Sequence, residues 1–327
     1  MKPQIILIGA GNIGSRHLQA LALLDRPAQV YVVEPSEEAR VLSKSRFESV
    51  YDHTQDIDVS YFADMSGLPA QADIAIIATS SLMRRAIVEE LCSRVRIPNI
   101  ILEKVAFQSV RDLYEMQMFF STNQIKAWVD CPNRDIPFYQ QMREKICHDR
   151  KLNILSDGGE WGIGCNSIHE LDLYAYLAGK ELAFQADISD LDPEIIPSKR
   201  SRYVEFTGEL RLNSTKGRLT LRANRGMEGP IYRIVATDQR QYLIDEANNY
   251  VRFREAESQW NWQESELGDH LIVSQMTQGN VEQILDTGTC PLATFEESSV
   301  YHEVLLNALL AHYNKVREEE RTACPIT

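Results

Sequence analysis

Two short groups of polar residues have the types and the spacing that acid–base chemistry requires. Glu103 and Lys104 directly follow the apolar run at 100–102, and His169 precedes Asp172 by three residues. A lysine taken out of water can donate a hydrogen bond to a substrate oxygen or exchange a proton with it. An imidazole titrates close to neutrality and can accept the proton of a hydroxyl group. The alternatives are a solvated ion pair at Lys104 and a structural histidine at His169.

On a helix, His169 and Asp172 would share one face, because residues three positions apart are neighbours there. Asp172 could then orient the imidazole ring or bind a substrate hydroxyl. The letters HELD at 169–172 resemble the zinc motif H-E-x-x-H only superficially, because residue 173 is leucine. No other group of histidines and cysteines has metal-ligand spacing, so we expect no metal.

A glycine-rich turn follows the first apolar run of the chain. Gly9, Gly11 and Gly14 form G-x-G-x-x-G ahead of a helical stretch. The first glycine allows a tight turn, the second lets a pyrophosphate approach the backbone, and the third lets helix and strand pack closely. The N–H groups of Asn12 and Ile13 would then meet a phosphate at the positive end of the helix.

An acidic residue, Glu34, ends the second apolar run 20 residues after Gly14. Its carboxylate can accept hydrogen bonds from both hydroxyls of an adenosine ribose, and it repels a 2′-phosphate. The sequence therefore predicts a dinucleotide site that favours NAD over NADP. Thr79, Ser80 and Glu103 complete the predicted cofactor contacts. The alternative is a Rossmann-like domain that has lost its cofactor or binds another nucleotide.

The elements that must position these residues change character along the chain. Up to about residue 130, apolar runs alternate with helical stretches, which indicates right-handed β-α-β units and a parallel sheet covered on both faces. We expect strands at 4–8, 29–33, 73–79, 99–103 and 125–130, with helices at 13–24, 36–46, 82–95 and 108–122. The segment 51–66 could hold one more strand.

After residue 150, polar and apolar residues alternate in segments joined by turn signals, which is typical of a largely antiparallel sheet. Helices are expected near 166–178, 269–285 and 294–317. We therefore predict an α/β chain with an N-terminal Rossmann dinucleotide-binding domain at 1–125. A C-terminal α+β domain at 126–327 would carry a large, mostly antiparallel open sheet, with the last helix packing back on the Rossmann domain.

Composition restricts the partners of the chain. The 327 residues carry a net charge of −13, which argues against nucleic acid or an anionic membrane surface as the main partner. No apolar run reaches the ~18–20 residues that span a bilayer. The first residues lead into glycines, so we interpret them as a strand and not as a signal peptide. The six cysteines are scattered without a C-x-x-C pair, which favours free thiols and a cytoplasmic location.

The stretch after the glycine turn resembles the start of the glucose–fructose oxidoreductase/inositol dehydrogenase (Gfo/Idh/MocA) family. Residues 14–21 read GSRHLQAL, with a histidine three residues after glycine and Ala-Leu behind it. The family's Glu-Lys-Pro at the end of strand five corresponds to 103–105, which read EKV. Its histidine after a glycine-rich stretch, with aspartate three residues on, corresponds to His169 and Asp172. The resemblance spans the whole chain in the order of its domains.

This resemblance implies an NAD(P)-dependent oxidoreductase that acts on a hydroxyl or keto group of a sugar, a nucleotide- or carboxyl-sugar, or a cyclitol. Lys104 and His169 would be catalytic. Arg134, Asn166 and Asp172 would contact this small-molecule substrate, although a structural ion pair is an equal alternative for Arg134. Family members commonly pair through the C-terminal sheet, which implies a homodimer or homotetramer. The alternatives are a non-catalytic NAD-binding sensor or partner protein, and an epimerase or lyase that uses hydride transiently.

Two residues depart from the family pattern. Val105 stands where the family has proline after its lysine, and the family's Lys–Pro bond is generally cis. A cis bond before valine costs ~3–4 kcal/mol, so we expect a trans peptide here. Cys165 stands where the family usually has an acid, four residues before the histidine. Asn166 or Asp172 could take over part of the role of that acid.

Overall fold

The computed structural model describes residues 2–179, 183–268 and 273–327. The chain forms two compact units. The first contains the residues up to Phe107, then Arg111–Pro132 and the segment that ends at Ser298. The second contains Gln108–Val110, the segment that begins at Asn133, and Ser299–Thr327. Each unit therefore combines segments that are distant in sequence.

The first unit is built on a seven-stranded sheet in the order β17-β6-β5-β4-β1-β2-β3, in which only the β17–β6 pair is antiparallel. Numbered in chain order, its strands are β1 (Gln4–Ile8), β2 (Ala28–Val33), β3 (Ile57–Phe62), β4 (Ile74–Ile77), β5 (Asn99–Glu103), β6 (Lys126–Asp130) and β17 (Ala293–Thr294). The helices are α1 (Gly14–Leu21), α2 (Glu37–Glu48), α3 (Ser81–Arg94), α4 (Val110–Thr122) and α7 (Val273–Thr287). The predicted Rossmann arrangement is confirmed, and the segment 51–66 does hold a strand.

The strands at the centre of this sheet are apolar on both faces, as a covered parallel sheet requires. All four residues of β4 are buried, and the side chains of β1 from Ile5 onward are buried as well. Helix α7 adds Val281 and Ile284 to the same core, although the sequence assigns a helix near 269–285 to the C-terminal domain. An amphipathic pattern shows that a helix has an apolar face but not which core receives it. Residues 269–272 of that prediction lie outside the described part of the chain.

The second unit is built on an eight-stranded sheet in the order β16-β15-β14-β13-β7-β12-β11-β8. All neighbouring strands are antiparallel except β7 and β12, so the predicted open and mostly antiparallel sheet is confirmed. Its elements are α5 (Pro137–Ile146), β7 (Leu152–Gly158), α6 (Ile163–Ala178), β8 (Gln185–Leu191), β9 (Ile196–Pro197), β10 (Val204–Glu205), β11 (Gly208–Asn213), β12 (Gly217–Ala223), β13 (Tyr232–Thr237), β14 (Arg240–Asp245), β15 (Tyr250–Glu255) and β16 (Gln263–Glu266). Helix α8 (Phe295–Arg317) starts in the first unit and lies mostly in the second.

One face of this sheet is buried and the other is open, which follows from the alternation of its residues. Leu219 and Leu221 on β12 are fully buried, whereas Tyr232 and Ile234 on β13 are exposed. Residues 206 and 207 separate β10 from β11, and Gly208 at φ +91° starts β11. None of the described helices combines the length and the apolarity that a bilayer crossing needs.

Helix α6 is fastened to the sheet by a buried ion pair. Arg233 of β13 donates to both carboxylate oxygens of Glu170, over 2.7 Å and 2.5 Å. The Ser156 hydroxyl of β7 donates to the same carboxylate over 2.6 Å. Arg233 also approaches Glu246 to 2.6 Å, and its guanidinium and the Glu170 carboxylate are almost inaccessible to water. The pair therefore fixes the rotation of α6 on the sheet.

We predict that Arg233→Met lowers the free energy of unfolding by ~3–5 kcal/mol, because it leaves the Glu170 carboxylate buried without its cation. The double variant Arg233→Met/Glu170→Leu should lose less, because neither charge then remains. Urea unfolding measures both, and Arg150→Met, at an exposed pair with Asp238, is the control. A double variant as unstable as the single one would contradict this account.

Candidate functional site

The glycine turn at the carboxyl end of β1 has two glycines that the fold requires and one that it does not. Gly9 adopts φ +89°, and its N–H donates to the Val33 carbonyl over 2.8 Å. A Cβ on Gly14 would lie 1.9 Å from the Gly9 carbonyl oxygen, whereas a Cβ on Gly11 would meet no described atom within 4 Å. Helix α1 begins behind this turn without a side-chain cap. The open side of Gly11 and the uncapped helix start suit the close approach of a phosphate group.

Glu34 lies beside this turn at the end of β2. One carboxylate oxygen accepts the Ala10 N–H over 2.8 Å, and the other accepts the Ser36 N–H over 2.9 Å. Arg40 donates to the Glu34 carbonyl over 2.6 Å and holds the backbone of the strand end. Each carboxylate oxygen retains acceptor capacity, because it has two lone pairs. The arrangement fits a ribose that binds Glu34 next to the turn.

Thr79 and Ser80 follow β4 on the same edge of the sheet. The Thr79 methyl carbon lies 3.2 Å from the position that a Cβ on Gly9 would take, so the residue borders the turn. The Thr79 hydroxyl oxygen is buried and has no hydrogen-bond partner among the described residues. Ser80 occupies the N-cap position of α3 but makes no side-chain cap there. A polar ligand at this edge would supply the partner that Thr79 lacks within the described chain.

Lys104 directly follows β5 and is half-buried. In the sheet, β4 lies between β5 and β1, the strand that leads into the glycine turn. The peptide bond between Lys104 and Val105 is cis, so our expectation of a trans bond is wrong. The buried guanidinium of Arg84 donates to the carbonyl oxygens of Glu103 over 2.5 Å and Ala106 over 3.0 Å, and also to that of Val105. The sequence argument counted only the intrinsic cost of the dipeptide and could not include these tertiary hydrogen bonds.

Glu103 is directed into the protein rather than into solvent. Only 8% of the residue is exposed, and one carboxylate oxygen lies 2.9 Å from the Nε2 atom of His17. The other carboxylate oxygen accepts the N–H of Lys104 over 3.1 Å. Its predicted contact with the cofactor stays a prediction. No local pattern in the sequence indicates this contact, because the two residues are 86 positions apart.

In the second unit, His169 lies in the second turn of α6 and is half-buried. The helix starts at Ile163, behind Gly162 at φ +85°, and so begins earlier than predicted. Asn166 donates its side-chain amide to the Trp161 carbonyl over 2.6 Å, which closes the turn that precedes the helix. His169 and Asn166 therefore belong to one rigid element.

A carboxylate from strand β10 caps the first turn of α6. Glu205 of β10 accepts the N–H of Gly164 over 2.6 Å and that of Cys165 over 3.2 Å. The carboxylate is nearly buried, and a negative charge at a helix start is favourable. Glu205 has no local signal in the sequence, because the cap acts across 40 residues.

Arg134 and Asp172, two of the predicted substrate contacts, bind each other. Arg134 donates from Nε over 2.9 Å and from a terminal nitrogen over 2.6 Å to the two oxygens of Asp172. Asp172 is fully buried, and Arg134 is 5% exposed. The structure thus contains the ion pair that was the alternative for Arg134, and contacts of either residue with a substrate stay a prediction.

Each unit therefore groups part of the predicted site. In the first unit, the carboxyl ends of β1, β2, β4 and β5 carry the glycine turn, Glu34, Thr79 and Lys104. In the second, α6 carries Asn166, His169 and Asp172. Among the described residues, the only close grouping of metal-ligand types is His17, Glu103 and Asp130, and both nitrogens of His17 already make hydrogen bonds.

Comparisons with known proteins concern the sequence of the first unit and the fold of the chain. Residues 4–131 match the model of the oxidoreductase family with an NAD-binding Rossmann fold, GFO_IDH_MocA. No curated protein matches the sequence at a significant level.

Several solved structures share the fold over nearly the whole chain. UDP-N-acetylglucosamine 3-dehydrogenase GnnA from Acidithiobacillus ferrooxidans has a TM-score of 0.70 at 14% identity, covering 96% of this chain and 97% of that one. An oxidoreductase from Agrobacterium radiobacter, in complex with NAD+, L-tartaric acid and magnesium, has a TM-score of 0.72 at 14% identity and the same coverage. The super-repressor mutant of Gal80p from Saccharomyces cerevisiae has a TM-score of 0.70 at 10% identity, covering 96% and 97%.

At these identities the solved structures show a shared fold, while the family model matches residues 4–131 by their sequence. This segment, with the glycine turn and Glu34 in place, is therefore similar to the NAD-binding Rossmann fold of the Gfo/Idh/MocA oxidoreductase family.

Proposed function

We propose that the protein transfers a hydride between NAD and a hydroxyl or keto group of a sugar, a sugar derivative or a cyclitol. The observation that carries the proposal is the position of Lys104. It follows β5 on the edge of the sheet that also bears the glycine turn, and ligands of open parallel sheets bind beyond this edge. A sugar-nucleotide dehydrogenase among the structures of the same fold supports this substrate class.

The chain's own residues would perform the proton chemistry. NAD, when bound, supplies the hydride acceptor. Lys104 donates a hydrogen bond to the substrate oxygen, and His169 takes the hydroxyl proton during oxidation and returns it during reduction. The buried pairs that hold α6 keep His169 in a defined orientation. The glycine turn and Glu34 bind the cofactor independently of either residue.

The same geometry supports two subsidiary proposals. The open face of the large sheet, with Tyr232 and Ile234 exposed, is suited to pairing with a second copy, so a homodimer or homotetramer stays our prediction. The scattered cysteines of the sequence support a cytoplasmic location.

Two glycine substitutions separate cofactor binding from folding. We predict that Gly11→Ala keeps the melting temperature of the parent but weakens NAD binding, because the added methyl group fills the space that the pyrophosphate needs. Gly14→Ala should lower the melting temperature strongly, because its methyl group overlaps the Gly9 carbonyl. NAD titration and thermal melting of both variants provide the measurement. Unchanged NAD affinity in Gly11→Ala would place the phosphates elsewhere.

Glu34 should determine the choice of cofactor. The parent is expected to bind NAD more tightly than NADP, because a 2′-phosphate would meet the carboxylate. Glu34→Ala should reduce this preference by weakening NAD binding and relieving the repulsion of NADP. The exposed Glu38, in the first turn of α2, provides the control Glu38→Ala. Equal affinities of the parent for both cofactors would contradict the argument.

Removal of either catalytic residue should impair turnover and spare cofactor binding. Loss of an acid–base group typically costs ~10²–10⁴-fold in rate. We therefore expect a fall of this order in kcat for Lys104→Met and for His169→Asn, with NAD affinity nearly unchanged. The double variant should be little worse than the weaker single variant, because the groups act as a unit.

A panel of hexoses, nucleotide sugars and cyclitols, followed through the absorbance of NADH, identifies the substrate for this test. Lys145→Met and His148→Asn, at exposed positions of the second unit, are the matched controls. Turnover of both catalytic variants within about threefold of the parent would reject the assignment, since a lost acid–base group has a far larger effect.

Two other functions use the same fold. The first is a non-catalytic NAD-binding sensor or partner protein, with which Cys165 in place of an acid is compatible, and a super-repressor mutant of Gal80p is among the similar structures. An epimerase or lyase would reduce NAD only transiently and accumulate no NADH. NAD binding without conversion of any substrate favours the first, and substrate conversion without net NADH favours the second.

A further inference from the structure

A buried histidine links the cofactor half of the first unit to the predicted catalytic lysine. His17 lies in α1, three residues after the last glycine of the turn, and is fully buried. Its Nε2 atom lies 2.9 Å from a carboxylate oxygen of Glu103 and 3.6 Å from one of Asp130. Its Nδ1 atom lies 2.8 Å from the Thr277 hydroxyl of α7. One imidazole thus links its own helix to two strand ends and to a second helix.

The two carboxylates require a cation at this position. Glu103 and Asp130 end the neighbouring strands β5 and β6 opposite each other, and both are more than nine-tenths buried. Burial by itself lowers the pKa of His17, but the hydrogen bond to Glu103 and the charges of Asp130 and Glu103 outweigh it and raise that pKa. Burial likewise raises the pKa of Glu103, yet the hydrogen bond and charge of His17, with smaller contributions from Lys104 and Arg84, lower it to about 2.

The contacts continue from His17 to Lys104 without a break. One oxygen of Glu103 binds His17, and the other accepts the backbone N–H of Lys104. An imidazolium donates from both ring nitrogens, to Glu103 and to the Thr277 hydroxyl. The backbone of Lys104 is therefore tied through Glu103 and His17 to α1, the helix that begins at the glycine turn.

We propose that His17, as an imidazolium, is a positioning residue that keeps the backbone of Lys104 at a fixed position relative to the cofactor turn. The proposal rests on the proposed function only where turnover is concerned. His17 itself neither reaches the substrate nor exchanges a proton with it.

The proposal gives a pH dependence of defined sign. A group whose pKa is higher in the folded state than in the unfolded chain contributes stability below its unfolded pKa, and this is lost as the pH rises through its folded pKa. The charged groups that face His17 are Glu103 and Asp130, and Lys104 and Arg84 act on Glu103. When His17 loses its proton at alkaline pH, the two carboxylates lose their shared cation, and Lys104 loses its support. Turnover and stability should therefore decline together on the alkaline side.

The first experiment follows the ring of His17 by NMR in the intact protein and needs no substrate. The pKa of the His17 ring is expected to lie above the ordinary value of an imidazole, about 6.5, and to fall in Thr277→Val, which keeps the side-chain shape but removes the hydroxyl. A pKa of His17 at or below that ordinary value overturns the proposal, whatever the enzymatic activity of the protein.

The second experiment measures kcat and NAD affinity from pH 6 to pH 10 for the parent, His17→Gln and the control His148→Gln. A displaced catalytic group typically costs ~10²-fold, so kcat of His17→Gln should fall ~10–100-fold with NAD affinity within about threefold of the parent. The alkaline decline of the parent should be absent from this variant and present in the control. If His17→Gln does not fold, Thr277→Val should move the alkaline decline to lower pH. A parent-like kcat profile in these variants refutes the positioning role, and failure of the parent to turn over any substrate refutes the proposed function alone.

Discussion

A carboxylate that is taken out of water must have a cation or several N–H donors beside it, and this requirement governs the functional half of the first unit. Glu103 ends β5 inside the protein, where Asp130 of the neighbouring strand adds a second negative charge. His17 provides the compensating cation from α1, and the backbone of Lys104 supplies an N–H. The charged residue at the end of an apolar strand is thus part of a buried network, and the half-buried position next to it is occupied by Lys104.

The same requirement organises the helix that carries His169. Glu170 pairs with Arg233 of the sheet, and Asp172 pairs with Arg134, so two acidic residues that closely follow His169 in sequence are fixed by bidentate ion pairs. Glu205 caps the first turn of this helix through two N–H groups. Three buried carboxylates therefore define the position of α6 while His169 itself is left half-buried. Ion pairs of this kind contribute orientation more than net stability, because desolvation offsets much of their attraction.

Local sequence patterns predicted an element correctly wherever the whole pattern lay within that element. The strands at 4–8 and 99–103 begin and end as predicted, because apolar runs bounded by turn residues are a local property. The glycine turn was equally recognisable, since its three glycines stand at fixed spacing between one apolar run and one helical stretch. Helix α5 was not predicted. Helix α7 was assigned to the other unit, because an apolar helix face does not indicate which core it packs against.

The sequence by itself determined the parallel Rossmann sheet, the open antiparallel sheet, the glycine turn with Glu34, and the positions of Lys104 and His169 at or near element ends. Only the tertiary structure decided that Glu103 binds His17, that Arg134 and Asp172 bind each other, and that Glu205 caps α6. It also decided the cis bond after Lys104, which is flanked by carbonyls that Arg84 binds. The physical reason is the same in each case: the partners are 19 to 86 residues apart, and the free energy of a buried charge depends on what the fold places beside it.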